Sequence, residues 1–179
     1  MTETAKLYGG SLYTLAAEEK LEDRLLTELE GAAALFKQYP DYLRLLSTPS
    51  LPKAERRGLL EEAFGKQVHP YLLNFLKILC DNGTLRELTG CARAYRVQYN
   101  RAHGILEATA VSAVQLTSAQ LEKLRDKLEK ATGKQIDLRS RIDPAVLGGI
   151  RLEMEGVQLD GTVRGRLDAL HTSIESAVL

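Results

Sequence analysis

At Gly104 the repeat of apolar residues changes its step. Before it they recur every three or four positions. After it, in ILEATAVSAV (105–114), side chains alternate every second residue. A 3.6-residue period buries one stripe of a helix and a two-residue period buries one face of a strand, so one pattern cannot serve both. The switch predicts an α+β chain. Residues 1–104 read as a six-helix antiparallel bundle, and residues 105–179 as a small α+β domain.

The six helices are marked by their breaks. Thr2 caps a first helix carrying Ala5, Tyr8, Leu12 and Leu15. Leu21, Leu25, Leu29, Leu35 and Phe36 form a second, closed by Tyr39-Pro40. DYLRLLS (41–47) is a short third, ending at Thr48-Pro49. Pro52 opens a fourth through Leu59, Leu60 and Phe64, stopped by Gly65. A fifth runs from about Pro70 to Asn82-Gly83, a helix-ending pair. The sixth is predicted from Thr84 to about His103.

Beyond Gly104, Thr117 and Gln120 form a capping box ahead of a helix with Leu121, Leu124 and Leu128 on its inner side. The charged residues of EKLRDKLEK cover its outer side. Gly133 ends that helix, and Ile136, Leu138 and Ile142 alternate as a second strand. Ile150, Leu152 and Met154 then oppose Arg151, Glu153 and Glu155, with Val157 and Leu159 resuming after a turn. Val163, Leu167, Leu170, Ile174 and Val178 return to helical spacing.

The glycine-rich DPAVLGGIRLEMEGVQLDGTVRGRL (143–167) raises the question of a phosphate cradle, because Gly156 and Gly161 have the outer spacing of a P-loop. A P-loop needs a lysine after its second glycine, and here Thr162 and Val163 follow. The residues between alternate as a strand, which commits their N–H groups to a sheet. No nucleotide is expected to bind directly. His69, His103 and His171 have no partners at metal-ligand spacing, and Asp143, Asp160 and Asp168 read as turn and cap residues. Cys80 and Cys91 read as buried thiols, too far apart for a CxxC pair. No catalytic residue, metal or cofactor is predicted.

Partners are therefore the remaining source of function. Residues 1–104 carry 14 basic and 13 acidic side chains, and residues 105–179 carry 10 and 11. That balance lacks the basic footprint of a nucleic-acid binder. No apolar run is long enough to span a bilayer, and MTETAKLYGG has neither the basic start nor the apolar core of a signal peptide. A soluble intracellular protein is expected. Gly9 and Gly10 fall inside the first helix, each costing about 1 kcal/mol relative to alanine. Two accounts stay open: tertiary packing that tolerates them, or close approach of another helix, leaving a groove for an amphipathic partner.

Over its full length the chain resembles the delta subunits of F-type ATP synthases, the oligomycin-sensitivity-conferring proteins of mitochondria. The resemblance is carried by RIDPAVLGGIRLEMEGVQLDGTVRGRLDAL (141–170), by AKLYGGSLYTLA in the first helix and by DNGTL (81–85). Gly9, Gly10 and Tyr13 depart from the family's first-helix pattern. The resemblance implies a non-catalytic stator. Its helical domain binds the N-terminal helix of an alpha subunit in a groove between helices one and five, and its C-terminal domain holds the paired b subunits. By position, Tyr8, Ser11, Leu12 and Leu15 would line the groove from helix one, and Phe75, Ile78 and Leu79 from helix five. The location implied is the cytoplasmic face of a bacterial cell membrane, reached through the complex. The rival is a free-standing helical adaptor for amphipathic helices, from which co-purification with alpha and b subunits would distinguish it.

Overall fold

Thr2, the N-cap of the first helix, accepts a hydrogen bond at its hydroxyl from the Ala5 amide at 3.2 Å. In the computed structural model, which describes residues 2–48, 51–146, 148–154 and 157–160, this cap starts α1 (Glu3–Glu18). There follow α2 (Glu22–Gln38), α3 (Pro40–Leu46), α4 (Lys53–Phe64), α5 (Pro70–Asp81) and α6 (Leu88–Ala102). Then come β1 (Ile105–Ser112), α7 (Ser118–Thr132), β2 (Gln135–Ile142), β3 (Ile150–Met154) and β4 (Val157–Asp160). The chain divides into two compact units, residues 1–99 and 100–179, the division falling within the last turn of α6.

Some ends differ from expectation. Pro52 is the N-cap of α4 rather than its first-turn residue. The expected sixth helix opens as a 3₁₀ turn over Leu85–Glu87, where the Glu87 amide bonds back to the Thr84 carbonyl at 2.9 Å. Leu35, one of the apolar residues that mark the second helix, is 41% exposed. The expected last helix, from Thr162 onward, lies outside the described residues.

The first unit buries one apolar cluster, to which α1–α6 all contribute. Leu25, Leu29, Leu46, Leu60, Leu72, Leu76, Leu79 and Tyr95 are fully buried in it. Polar ties complete it. The Tyr95 hydroxyl donates to the Glu22 carbonyl at 2.9 Å, and Tyr42 donates to the Leu59 carbonyl at 2.9 Å. Arg56 is buried, and its guanidinium donates to the Leu46 and Cys80 carbonyls at 3.4 and 3.3 Å. It thus sets a cation against the C-terminal ends of α3 and α5, where helix dipoles are negative.

The glycines of α1 have a tertiary explanation. A Cβ on Gly9 would collide with the Cys91 carbonyl oxygen and stand 2.8 Å from the Ala94 Cβ, both on α6. Close approach of another helix is therefore the right account of Gly9, and that helix belongs to the same chain. Gly10 meets only the Gln98 amide, at 2.8 Å.

The second unit is a four-stranded sheet in the order β2-β1-β3-β4. β1 and β2 are parallel and joined through α7, β1 and β3 are antiparallel, and β3–β4 form a hairpin. The capping box forms as expected, with Gln120 N to Thr117 Oγ1 at 3.3 Å and Thr117 N to Gln120 Oε1 at 2.9 Å. Gly133 closes α7 at φ 68°, a left-handed conformation that a side chain disfavours. Register puts Leu106, Ala108, Ile136, Leu138, Leu152 and Met154 on one face, packed with Leu124 and Leu128 of α7. The other face carries Glu107, Asp137, Arg139, Arg141, Arg151 and Glu153. There Arg141 pairs with Glu153 at 2.9 Å, and Arg151 pairs with Asp143 at 3.4 Å.

Candidate functional site

The most function-like surface among the described residues is a cleft between α1 and α5, with a volume of about 520 Å³. Both walls follow from local sequence. On α5, Pro70 fixes the first helical position, and the His69 Nδ1 accepts from the Tyr71 amide at 3.3 Å. Leu72, Phe75, Leu76, Leu79 and Cys80 turn into the core, leaving Tyr71, Asn74 and Ile78 to face outward. On α1, Ala5, Gly9 and Ala16 turn inward, so Leu7, Ser11 and Leu15 form the outer wall and Leu12 the floor.

The cleft is apolar and uncharged. Leu7 is 69% exposed, Ile78 50% and Leu15 36%, whereas Leu12 is only 4% exposed. Three large apolar side chains lie in water along one cleft, a grouping that single scattered surface leucines do not make. Polar groups are few. Tyr8 packs edge-on to Phe75, with ring centroids 6.4 Å apart, and its hydroxyl accepts from Asn82 Nδ2 at 3.0 Å. Ser11 donates to its own helix at the Leu7 carbonyl, 2.9 Å away. The charges of α5 are engaged elsewhere: Asp81 with Arg57 and Lys77 with Glu61. Arg57 holds the Asp81 carboxyl below its usual range, and Lys77 does the same for Glu61. No group of His, Cys, Asp or Glu among the described residues could hold a metal.

Six of the seven residues expected from sequence meet here: Tyr8, Ser11, Leu12, Leu15, Phe75 and Ile78. Leu79 does not. It is fully buried in the core, because one residue beyond Ile78 turns about 100° around the helix. Leu7, Tyr71 and Asn74 were missed. Their signal was present in the spacing, since Leu7 lies four residues before Ser11, and Tyr71, Asn74 and Ile78 follow steps of three and four.

A second apolar cavity, about 580 Å³, lies where α2, α3 and α4 meet, lined by Leu35, Phe36, Tyr39, Tyr42 and Phe64 among others. The glycine-rich segment is not a phosphate cradle as far as it is described. Its β3 and β4 residues pair antiparallel, Leu152 opposite Leu159, so their backbone groups serve the sheet. Gly148 and Gly149 take positive φ, 68° and 87°, ahead of β3. Gly156, and everything from Gly161 on, lies outside the described residues.

Known proteins agree with this architecture. The family described as ATP synthase delta (OSCP) subunit matches residues 4–174. A delta subunit of ATP synthase from Synechococcus elongatus is 32% identical over 97% of this chain and 99% of its own length. One from Clostridioides difficile is 29% identical over 97% of each. A chain of the Toxoplasma gondii mitochondrial ATP synthase hexamer superposes with a TM-score of 0.76 at 20% identity, over 97% of this chain and 98% of that one, which speaks for the fold alone. With a family match spanning nearly its whole length, the chain belongs to the ATP synthase delta (OSCP) subunit family.

Proposed function

We propose that the α1–α5 cleft takes the N-terminal helix of an alpha subunit, and that the second domain holds the ends of the b subunits. As a family member the protein is a non-catalytic, peripheral-stalk subunit of an ATP synthase. In this reading residues 1–104 act as one six-helix antiparallel bundle on the catalytic head, and residues 105–179 as the stalk-binding domain. The complex sits on the cytoplasmic face of a bacterial membrane. No described helix is long and apolar enough to cross a membrane, which suits attachment through partner subunits. The task is mechanical. Torque from the rotor acts on the head, and a static link keeps the head from turning with it.

The observation that supports the groove is its chemistry: exposed Leu7, Leu15 and Ile78 around a buried Leu12 floor, with no charged side chain in the lining. An amphipathic helix laid there covers apolar surface worth about 25 cal/mol per Å² and leaves no charge of the cleft lining unpaired. Tyr8→Ala or Ile78→Asp should weaken binding of a synthetic alpha N-terminal peptide about tenfold or more while leaving helical circular dichroism intact. Unchanged affinity in both, by titration calorimetry, removes the groove assignment. The free-standing adaptor is disfavoured by family membership, and co-purification of alpha and b subunits from native membranes tests it directly.

A further inference from the structure

Gly9 lies on the side of α1 opposite Leu7 and Ser11, which form part of the groove's outer wall. Leu7 and Ser11, two residues either side of Gly9, are each about 160° around the helix from it. Any displacement of α1 away from α6 therefore carries these groove residues outward with it. Gly9 is where that displacement is resisted: a Cβ there would strike the Cys91 carbonyl oxygen, a backbone atom, and come within 2.8 Å of the Ala94 Cβ. Neither can swing aside, so α1 itself would have to move. At Gly10 the added Cβ meets only the amide end of Gln98, which can rotate away. At Gly31 of α2 and Gly58 of α4 it meets nothing within 4 Å.

We infer that Gly9 is a positioning residue for the partner groove, its missing side chain seating α1 against α6 and so setting the height of the groove's α1 wall over α5. This rests on the reading of the cleft as a partner site, and it answers why a glycine occupies the middle of a helix that needs none for its backbone conformation. Phe75 and Ile78 stand on α5, anchored separately in the core through Leu72, Leu76 and Leu79. A shift of α1 alone therefore changes the relation between the two walls.

The test uses the full chain carrying Gly9→Ala, with Gly10→Ala, Gly31→Ala and Gly58→Ala as controls for helix propensity. Two readouts are taken: methyl resonances of Leu7, Leu15 and Ile78, and affinity for a synthetic alpha N-terminal peptide. Gly9→Ala is expected to move the groove methyls and weaken binding about tenfold, the scale of a modest overpacking penalty. The controls should stay within about twofold, because the new Cβ meets nothing at Gly31 and Gly58 and only the movable Gln98 side chain at Gly10. A folded Gly9→Ala chain with unmoved methyls and unchanged affinity overturns the inference. If Gly9→Ala does not fold, Gly90→Ala replaces it, since its Cβ would meet the Ala5 Cβ at 2.8 Å. Gly90→Ala should then move the same methyls and adding Ala5→Gly should restore them, and failure of either step overturns the inference too. If the wild-type chain binds no peptide, the partner assignment falls while the methyl shifts still decide the positioning role.

Discussion

The two units bury their surfaces by different means. The helical unit converges on one apolar cluster in which Leu29, Leu72, Leu76 and Tyr95 are fully enclosed, and it leaves apolar side chains out only at particular sites such as the α1–α5 cleft. The sheet unit has a thin described core, with Leu106, Ala108 and Ile136 of the strands against Leu128 of α7, and its other face carries paired charges around the buried Val111. A thick core holds an exposed apolar groove open without collapsing into it. A charged sheet face does not attract apolar partners. Stability and exposed apolar surface thus coexist in the first unit because its core is large enough to spare residues.

The strongest way to break this contrast is to empty the helical core. Leu76→Ala should cost about 3 kcal/mol, because the cavity lies where every neighbour is already packed. The half-covered Leu124→Ala should cost clearly less, about 1 kcal/mol. Urea unfolding of each variant, read by amide exchange in α5 and in β1, compares the two, and equal losses would remove the distinction.

Alkaline titration comes next. Burial pushes the Cys91 thiol up to about 11, hydrogen bonding to Asp23 pushes Tyr99 up to about 12, and burial raises Tyr95 as well. Below about pH 8 thiol and phenols are largely protonated in both folded and unfolded chains. Between about pH 8 and 11 the unfolded chain ionises ahead of the folded one, so stability falls as pH rises. The loss from Cys91 alone should be about 2 kcal/mol by pH 11. Cys91→Ala should flatten that part of the urea-midpoint profile, and an unaltered slope would sink the assignment.

Thr117→Ala sharpens the comparison from the other side. It removes the hydroxyl that accepts from the Gln120 amide, the side-chain half of the capping box of α7, the described helix that covers the sheet, and should cost about 1 kcal/mol. The loss should appear in β1 and β2 exchange and not in α5. Smallest of all is Arg141→Ala. Its partner Glu153 lies on the charged face, the Arg141 side chain is 56% exposed, and the change should stay below about 0.5 kcal/mol in thermal unfolding.

Much of this was readable in the chain. Thr2, Thr117 with Gln120, Pro70 and Gly133 announced helix ends, and the alternation of Ile150 to Met154 announced which residues share a sheet face. These signals are local, acting within a turn or between neighbouring residues. The resemblance placed Tyr8, Ser11 and Leu15 on the α1 side of the cleft, where they lie, and placed Leu79 there too, which is buried in the core. A resemblance assigns a helix to a groove more easily than it decides which residues of that helix face it, and the 100° step between Ile78 and Leu79 is decided by packing. Arg56 gave no sequence signal of its burial, because its partners are backbone carbonyls 10 and 24 residues away.

The sequence by itself determined the change of architecture at Gly104, the caps, the strand alternation and the absence of a P-loop lysine, since each depends on residues near one another. Only the tertiary structure decided what Gly9 is for. The reason is that a missing side chain has no meaning until something is placed where it would have been. Here that something is the backbone of α6 at Cys91.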